Sequence, residues 1–126
     1  MNTPLLMVAA ALLFTVGLAH SYLGEKYILI RLFRRDNLPH LRGSDVVTKQ
    51  VLRFAWHLTS IAWWTFAAML VAITMAPPGS ESLWVAYTIA VGSAITGLVI
   101  LAGARAGHPA WIVFAAIVVC IVPALN

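Results

Sequence analysis

Charge is what this chain has least of. Asp, Glu, Lys and Arg make up only 10% of its 126 residues, against about a quarter in a typical soluble domain. A surface so poor in charge cannot face water all round, and a mean hydropathy of +0.93 says the same. Lipid is therefore the expected solvent for most of the molecule. Acids are the scarcer sign, four against eight basic residues. The resulting pI near 9.9 would suit nucleic acid, but long apolar runs separate the basic residues. Membrane orientation explains them better, and no nucleic-acid partner is expected. Cysteine is reduced to Cys120, which excludes an internal disulfide. With no charged neighbour to favour a thiolate, Cys120 reads as a small buried apolar group rather than a nucleophile. Regular polar–apolar alternation is missing too, which excludes the strands of an outer-membrane barrel.

Several chemical motifs are also absent. The chain has no CxxCH for covalent haem, no HExxH, no paired ExxH of a di-iron bundle and no dense histidine boxes. No Lys or Arg precedes the first apolar run. A signal peptide carries a positive n-region, so a retained span is expected there.

What is present is four apolar runs. A hydrocarbon core of about 30 Å needs roughly 20 residues at 1.5 Å each. Residues 4–23, 54–76, 83–104 and 109–125 fit, the last being the shortest, with Pro123 expected to distort its final turn. The expected fold is an all-α, integral membrane bundle of four transmembrane helices forming one domain over residues 1–126, with a basic loop at 26–53. Lys26, Arg31, Arg34, Arg35, Arg42, Lys49 and Arg53 lie between runs one and two, and Arg105 lies between three and four. The connection "PPGSES" carries no basic residue. The positive-inside rule then puts both basic loops in the cytoplasm and both termini outside.

Within the large loop, "YILIRLFRR" alternates Ile28, Leu29, Leu32 and Phe33 with Arg31, Arg34 and Arg35 at helical spacing. That predicts an amphipathic continuation of the first helix along the membrane surface. Its arginines Arg31, Arg34 and Arg35 are expected at anionic lipid headgroups. Pro39 and Gly43 end the helix, and Ser44 or Asp45 caps the next one.

The histidines are the residues out of place. His20 lies about one turn before the inner end of the first run, and His57 about one turn after the inner start of the second. His108 falls in the inner turn "GARAGHPAW". Three imidazoles are thus expected at similar depth, and ionisable groups inside a span are functional candidates. At 100° per residue, Gly17, His20, Ser21 and Gly24 share one stripe, whose small residues allow close helix approach. Glu25 follows just below, and Arg53 lies one turn before His57. His20, His57 and His108 are the expected metal ligands, supported by Glu25, Arg53 and Ser21. Two facing histidines can hold a haem iron, while imidazole with carboxylate suits several transition metals. The cofactor expected is haem b or a transition metal, and the protein would be redox-active through it.

Three structural readings stand beside this. His20 can simply hydrogen-bond a neighbouring helix, His57 can pair with Glu25 or Asp45 at the interface, and His108, before Pro109, can cap the fourth helix. A second functional class is also open: a homo-oligomeric channel or carrier for ions or small solutes, or an accessory subunit of a membrane complex, with the histidines as a proton- or ion-sensing ring. The segments "HSYLGE", "RFAWHLTSIAWW" and "GHPAW" resemble those of small bacterial membrane proteins. That resemblance implies a bacterial inner membrane.

Overall fold

The computed structural model describes residues 2–41, 43–77, 79–103 and 109–125, and every extended element among them is helical. Helix α1 (Thr3–Leu23) opens with Asn2, whose side-chain oxygen accepts the Leu5 N–H at 3.4 Å. Pro4 sits in the first turn, where its missing N–H costs nothing. Leu6, Ala9, Ala10, Leu13 and Gly17 form the buried stripe at three- and four-residue spacing.

At Gly24 the helix widens. Residues Gly24–Leu29 form a π turn, in which the Ile30 N–H reaches back five residues to the Glu25 carbonyl. A last short turn, α2 (Ile30–Leu32), completes a continuous helical segment from Thr3 to Leu32. The expected continuation beyond the first span is therefore present.

Gly43 turns the loop with φ of 81°, the left-handed region that suits glycine. Ser44 then caps α3 (Asp45–Met75), its hydroxyl accepting the Val46 N–H at 3.0 Å. Asp45 pairs with Lys49 at 2.6 Å along the first turn, and the Thr48 hydroxyl donates to the Pro39 carbonyl, tying the loop to the helix. Helix α3 ends at Ala76, which is extended (ψ 153°) as a residue before proline must be.

Helix α4 (Ser80–Gly103) begins three residues before the expected span, and α5 (Ala110–Ala124) follows Pro109. Pro123 is accommodated in the last turn of α5, which tightens so that the Leu125 N–H bonds Val122 at 3.4 Å. Three helices, Thr3–Leu32, Asp45–Met75 and Glu81–Ala102, are long and apolar enough to cross a membrane. Helix α5 has 15 residues, just short of the roughly 17 needed for a perpendicular span.

Packing follows the order α3–α1–α5–α4. Helix α1 lies between α3 and α5, α4 leans on α5, and α3 meets α4 only sparsely. Alanines 9, 10, 67, 86 and 90 are buried where the helices meet, with Leu13, Leu70, Phe114 and Ile117 filling the space between them. Small residues let backbones approach, which is how helices gain contact where lipid supplies no hydrophobic drive. The Asn2 N–H donates to the Ala124 carbonyl at 2.6 Å, so the start of α1 and the end of α5 meet at one end of the molecule. Outward-facing side chains are apolar as well, Leu98, Val99 and Val119 each being more than 60% exposed. These long apolar helices with apolar outer faces are compatible with a membrane protein.

Candidate functional site: a histidine–carboxylate chain between α1 and α3

Two stripes meet to build the site. On α1 and the π turn they are Gly17, Ser21, Gly24 and Glu25; on α3 they are Arg53, Trp56, His57, Ser60 and Trp64. The spacings of three and four residues put each set on one helix face. The glycines are seats for indoles. A Cβ at Gly17 would collide with the Trp64 ring, and one at Gly24 with the Trp56 ring. Each indole N–H donates to a main-chain carbonyl of α1: Trp64 to Phe14 at 3.1 Å and Trp56 to His20 at 3.0 Å. The His20 carbonyl also accepts the Gly24 N–H. An extra donor thus enters the backbone ladder where the helix passes into its wider turn, a recognised cause of local distortion.

Between the indoles runs a chain of polar contacts. Ser21 Oγ donates to Ser60 Oγ at 2.8 Å, and Ser60 is fully buried. Ser21 Oγ also lies 2.9 Å from Nδ1 of His57. On the other side of the ring, Nε2 of His57 is 3.3 Å from Oε2 of Glu25. Arg53 closes the chain, with Nη2 2.9 Å from Oε1 of Glu25 and Nε donating to Oε2 at 3.3 Å. Such a two-pronged guanidinium fixes the carboxylate's orientation as well as balancing its charge.

The hydrogens can be counted. Ser21 has one hydroxyl proton, and the Ser60 contact uses it. Its oxygen then accepts from Nδ1, while Nε2 faces a carboxylate. With both ring protons present, Nδ1–H donates to Ser21 and Ser21 to Ser60; with Nδ1 bare, the Ser60 hydroxyl donates to Ser21 and Ser21 to Nδ1, while Nε2–H faces Glu25 in both. Loss of the Nδ1 proton is thus met by rotating both hydroxyls, with no contact given up. The cluster thus has two fully hydrogen-bonded arrangements that differ by one proton and the rotation of both serine hydroxyls.

His20 sits beside this chain without joining it. Its ring stacks on Trp56 (centroids 4.6 Å apart, planes within 6°) and meets Trp63 edge-on at 5.0 Å. Trp63 in turn touches Phe114 of α5 at 5.3 Å. The Nε2 atom of His20 is buried and has no hydrogen-bond partner among the described residues.

Of the residues expected at a site, Ser21, Glu25, Arg53 and His57 are therefore bonded into one chain, and His20 lies against its aromatic wall. His108, like Arg42 and Arg105, lies outside the described residues. Asp45, the other candidate partner for His57, pairs with Lys49 instead. Arg31 lies over the Tyr27 ring, and Arg34 and Arg35 are exposed. Among the described residues, no three or more His, Cys, Asp or Glu side chains form a group that could hold a metal ion.

No family model, no curated protein and no solved structure matches the chain. What the site does must be argued from its own geometry.

One participant, Ser60, and one neighbouring residue, Lys26, are only weakly marked in the sequence. The hydroxyl of Ser60 is signalled only by its position one turn from His57. Lys26, set against Tyr22 and Tyr27, is signalled only by its place in a basic segment.

Proposed function

We propose that the chain is a four-helix membrane bundle with both termini outside, and that Ser21, Glu25, Arg53 and His57 form a proton-binding site in its cytoplasmic leaflet. The site would serve a channel or carrier for ions or small solutes, or an accessory subunit of a membrane complex. The observation that carries this reading is the His57 ring held between a hydroxyl at Nδ1 and a carboxylate at Nε2. An imidazole so held exchanges one proton with little movement, and histidine is the side chain whose ordinary titration falls nearest neutrality.

Depth supports the reading. The Thr3–Leu32 segment has 30 residues and α3 has 31, each about 45 Å long against a hydrocarbon core of about 30 Å. With Thr3 and Met75 at the outer face, about 20 residues bring the chain to Leu23 on one helix and Phe54 on the other. His20 and His57 then lie just within the apolar layer, with Glu25 and Arg53 at its inner rim.

Haem b or a transition metal, held by His20, His57 and His108, is the second reading. It is favoured by the buried Nε2 of His20, which has no partner among the described residues. Against it, His57 would have to release Ser21 or Glu25 to free a nitrogen.

The test uses purified protein in liposomes loaded with potassium and a pH-sensitive dye, with valinomycin setting a potential. Proton flux is expected in the wild type and lost in His57→Ala and Glu25→Gln. Equal flux in all three overturns the proton site, and none in any overturns its place in a channel or carrier. The visible spectrum and metal content of the same preparation test the second reading. A Soret band, or a metal retained by the wild type and lost in His20→Ala, would support it.

A further inference from the structure

We infer that Lys26 and Arg31, carried on a platform of Tyr22 and Tyr27, form a binding site for the phosphate of an anionic phospholipid. The inference rests on the membrane reading above and not on the proton site.

The platform straddles the junction of α1 and the π turn. Around an α-helix, positions five apart lie about 140° from each other, so Tyr22 and Tyr27 would face different ways. A turn closed by i to i+5 bonds brings such positions towards one column. Lys26 Nζ lies 5.5 Å from the centre of the Tyr22 ring and 5.2 Å from that of Tyr27. It also donates to the Tyr22 hydroxyl at 3.5 Å. The Arg31 guanidinium lies 5.6 Å from the Tyr27 ring centre. Cations resting on aromatic faces have lost part of their freedom before any ligand arrives.

Charge says what the ligand is. Glu25, next to Lys26 in the chain, is engaged by Arg53 and His57, Asp45 pairs with Lys49, and the exposed Asp36 forms no ion pair with either cation. Among the described residues, no carboxylate forms an ion pair with Lys26 or Arg31. Two fixed positive charges and two phenol hydroxyls match a phosphodiester. The same short segment exposes Leu23, Ile28 and Ile30, each at least 40% accessible. Acyl chains can cover such side chains and a soluble anion cannot, and tyrosine favours the membrane–water boundary. The ligand is therefore a lipid of the leaflet that the basic loop faces.

The test places the full chain in phosphatidylcholine nanodiscs doped with phosphatidylglycerol and counts retained lipid by native mass spectrometry. Phosphatidylglycerol should be enriched around the wild type. Lys26→Gln with Arg31→Gln should lose that enrichment by about fivefold for each cation removed, while Lys49→Gln keeps it. Tyr27→Leu, which retains both charges, should weaken it by less than the double variant does. Equal enrichment in wild type and double variant, or none in the wild type, overturns the site. Competition by glycerol phosphate as strong as by the lipid overturns the lipid source. Carbonate extraction separates the two levels. Protein released from membranes sinks the membrane reading and this site together. Protein that stays embedded without lipid preference sinks the site alone.

Discussion

Gly24 carries opposing pressures that can be weighed. Alanine is preferred to glycine inside a helix by about 1 kcal/mol, so Gly24→Ala would stabilise a helix standing alone. Here the added Cβ would meet the Trp56 indole. Overpacking of that kind costs about 1–3 kcal/mol, and expelling the indole also breaks its bond to the His20 carbonyl, worth about 1 kcal/mol. The loss outweighs the gain. Gly24→Ala is expected to destabilise by about 1–3 kcal/mol in detergent–SDS unfolding, with a shift in tryptophan emission. Gly92 is the control, since a Cβ there meets nothing within 4 Å. Gly92→Ala should be neutral or stabilising by up to about 1 kcal/mol. If both variants change stability in the same direction, the indole seat does not constrain the fold. At this scale much of the site was legible. The Gly17–Ser21–Gly24 stripe marks the packing face of α1, and the nearness of His57 to Glu25 follows from antiparallel helices entering the same basic loop. The fate of His20 was not legible. Its stacking on Trp56 depends on the rotation of α3 about its axis, which no spacing in α1 encodes.

Among the elements, α3 has the most explicit start signal. Ser44 accepts the Val46 N–H, and Asp45 and Lys49 pair across the first turn. Losing a serine cap costs about 1 kcal/mol. Ser44→Ala should therefore speed amide exchange at Val46 and Val47 about fivefold while leaving the middle of α3 unchanged. Unchanged exchange at those two amides would mean that Ser44 does not hold the helix start. The helices themselves were legible because run length and charge position are properties of the chain alone. The π turn was not. It depends on an indole from another helix bonding the His20 carbonyl beside Gly24, and nothing in "GEKYIL" breaks helical spacing. The neighbour order was equally hidden. Helices that are apolar on every side carry no polar stripe to tell inside from outside, so Ala86 and Ala90 of α4 give no sign that α5, and not α3, is their main support.

For the whole molecule, orientation is the proposal with the widest reach. In a Cys120→Ala background, single cysteines at Thr3 and Gly79 are expected to react with a membrane-impermeant maleimide on intact cells. A cysteine at His40 should react only after permeabilisation. Labelling of the His40 variant in intact cells would reverse the topology and move the histidine site to the opposite leaflet. The bond between Asn2 and Ala124 already requires the start of α1 and the end of α5 to share a side.

The sparse meeting of α3 and α4 has a consequence for biosynthesis. Helices α1 and α3 are made before α4 and α5, and between them they carry the whole serine–histidine–glutamate–arginine chain. Helices α4 and α5 emerge later and lean mainly on each other. An α1–α3 hairpin therefore contains every residue of that chain before α4 and α5 are made, and α5 then joins the two pairs through its contact with α1.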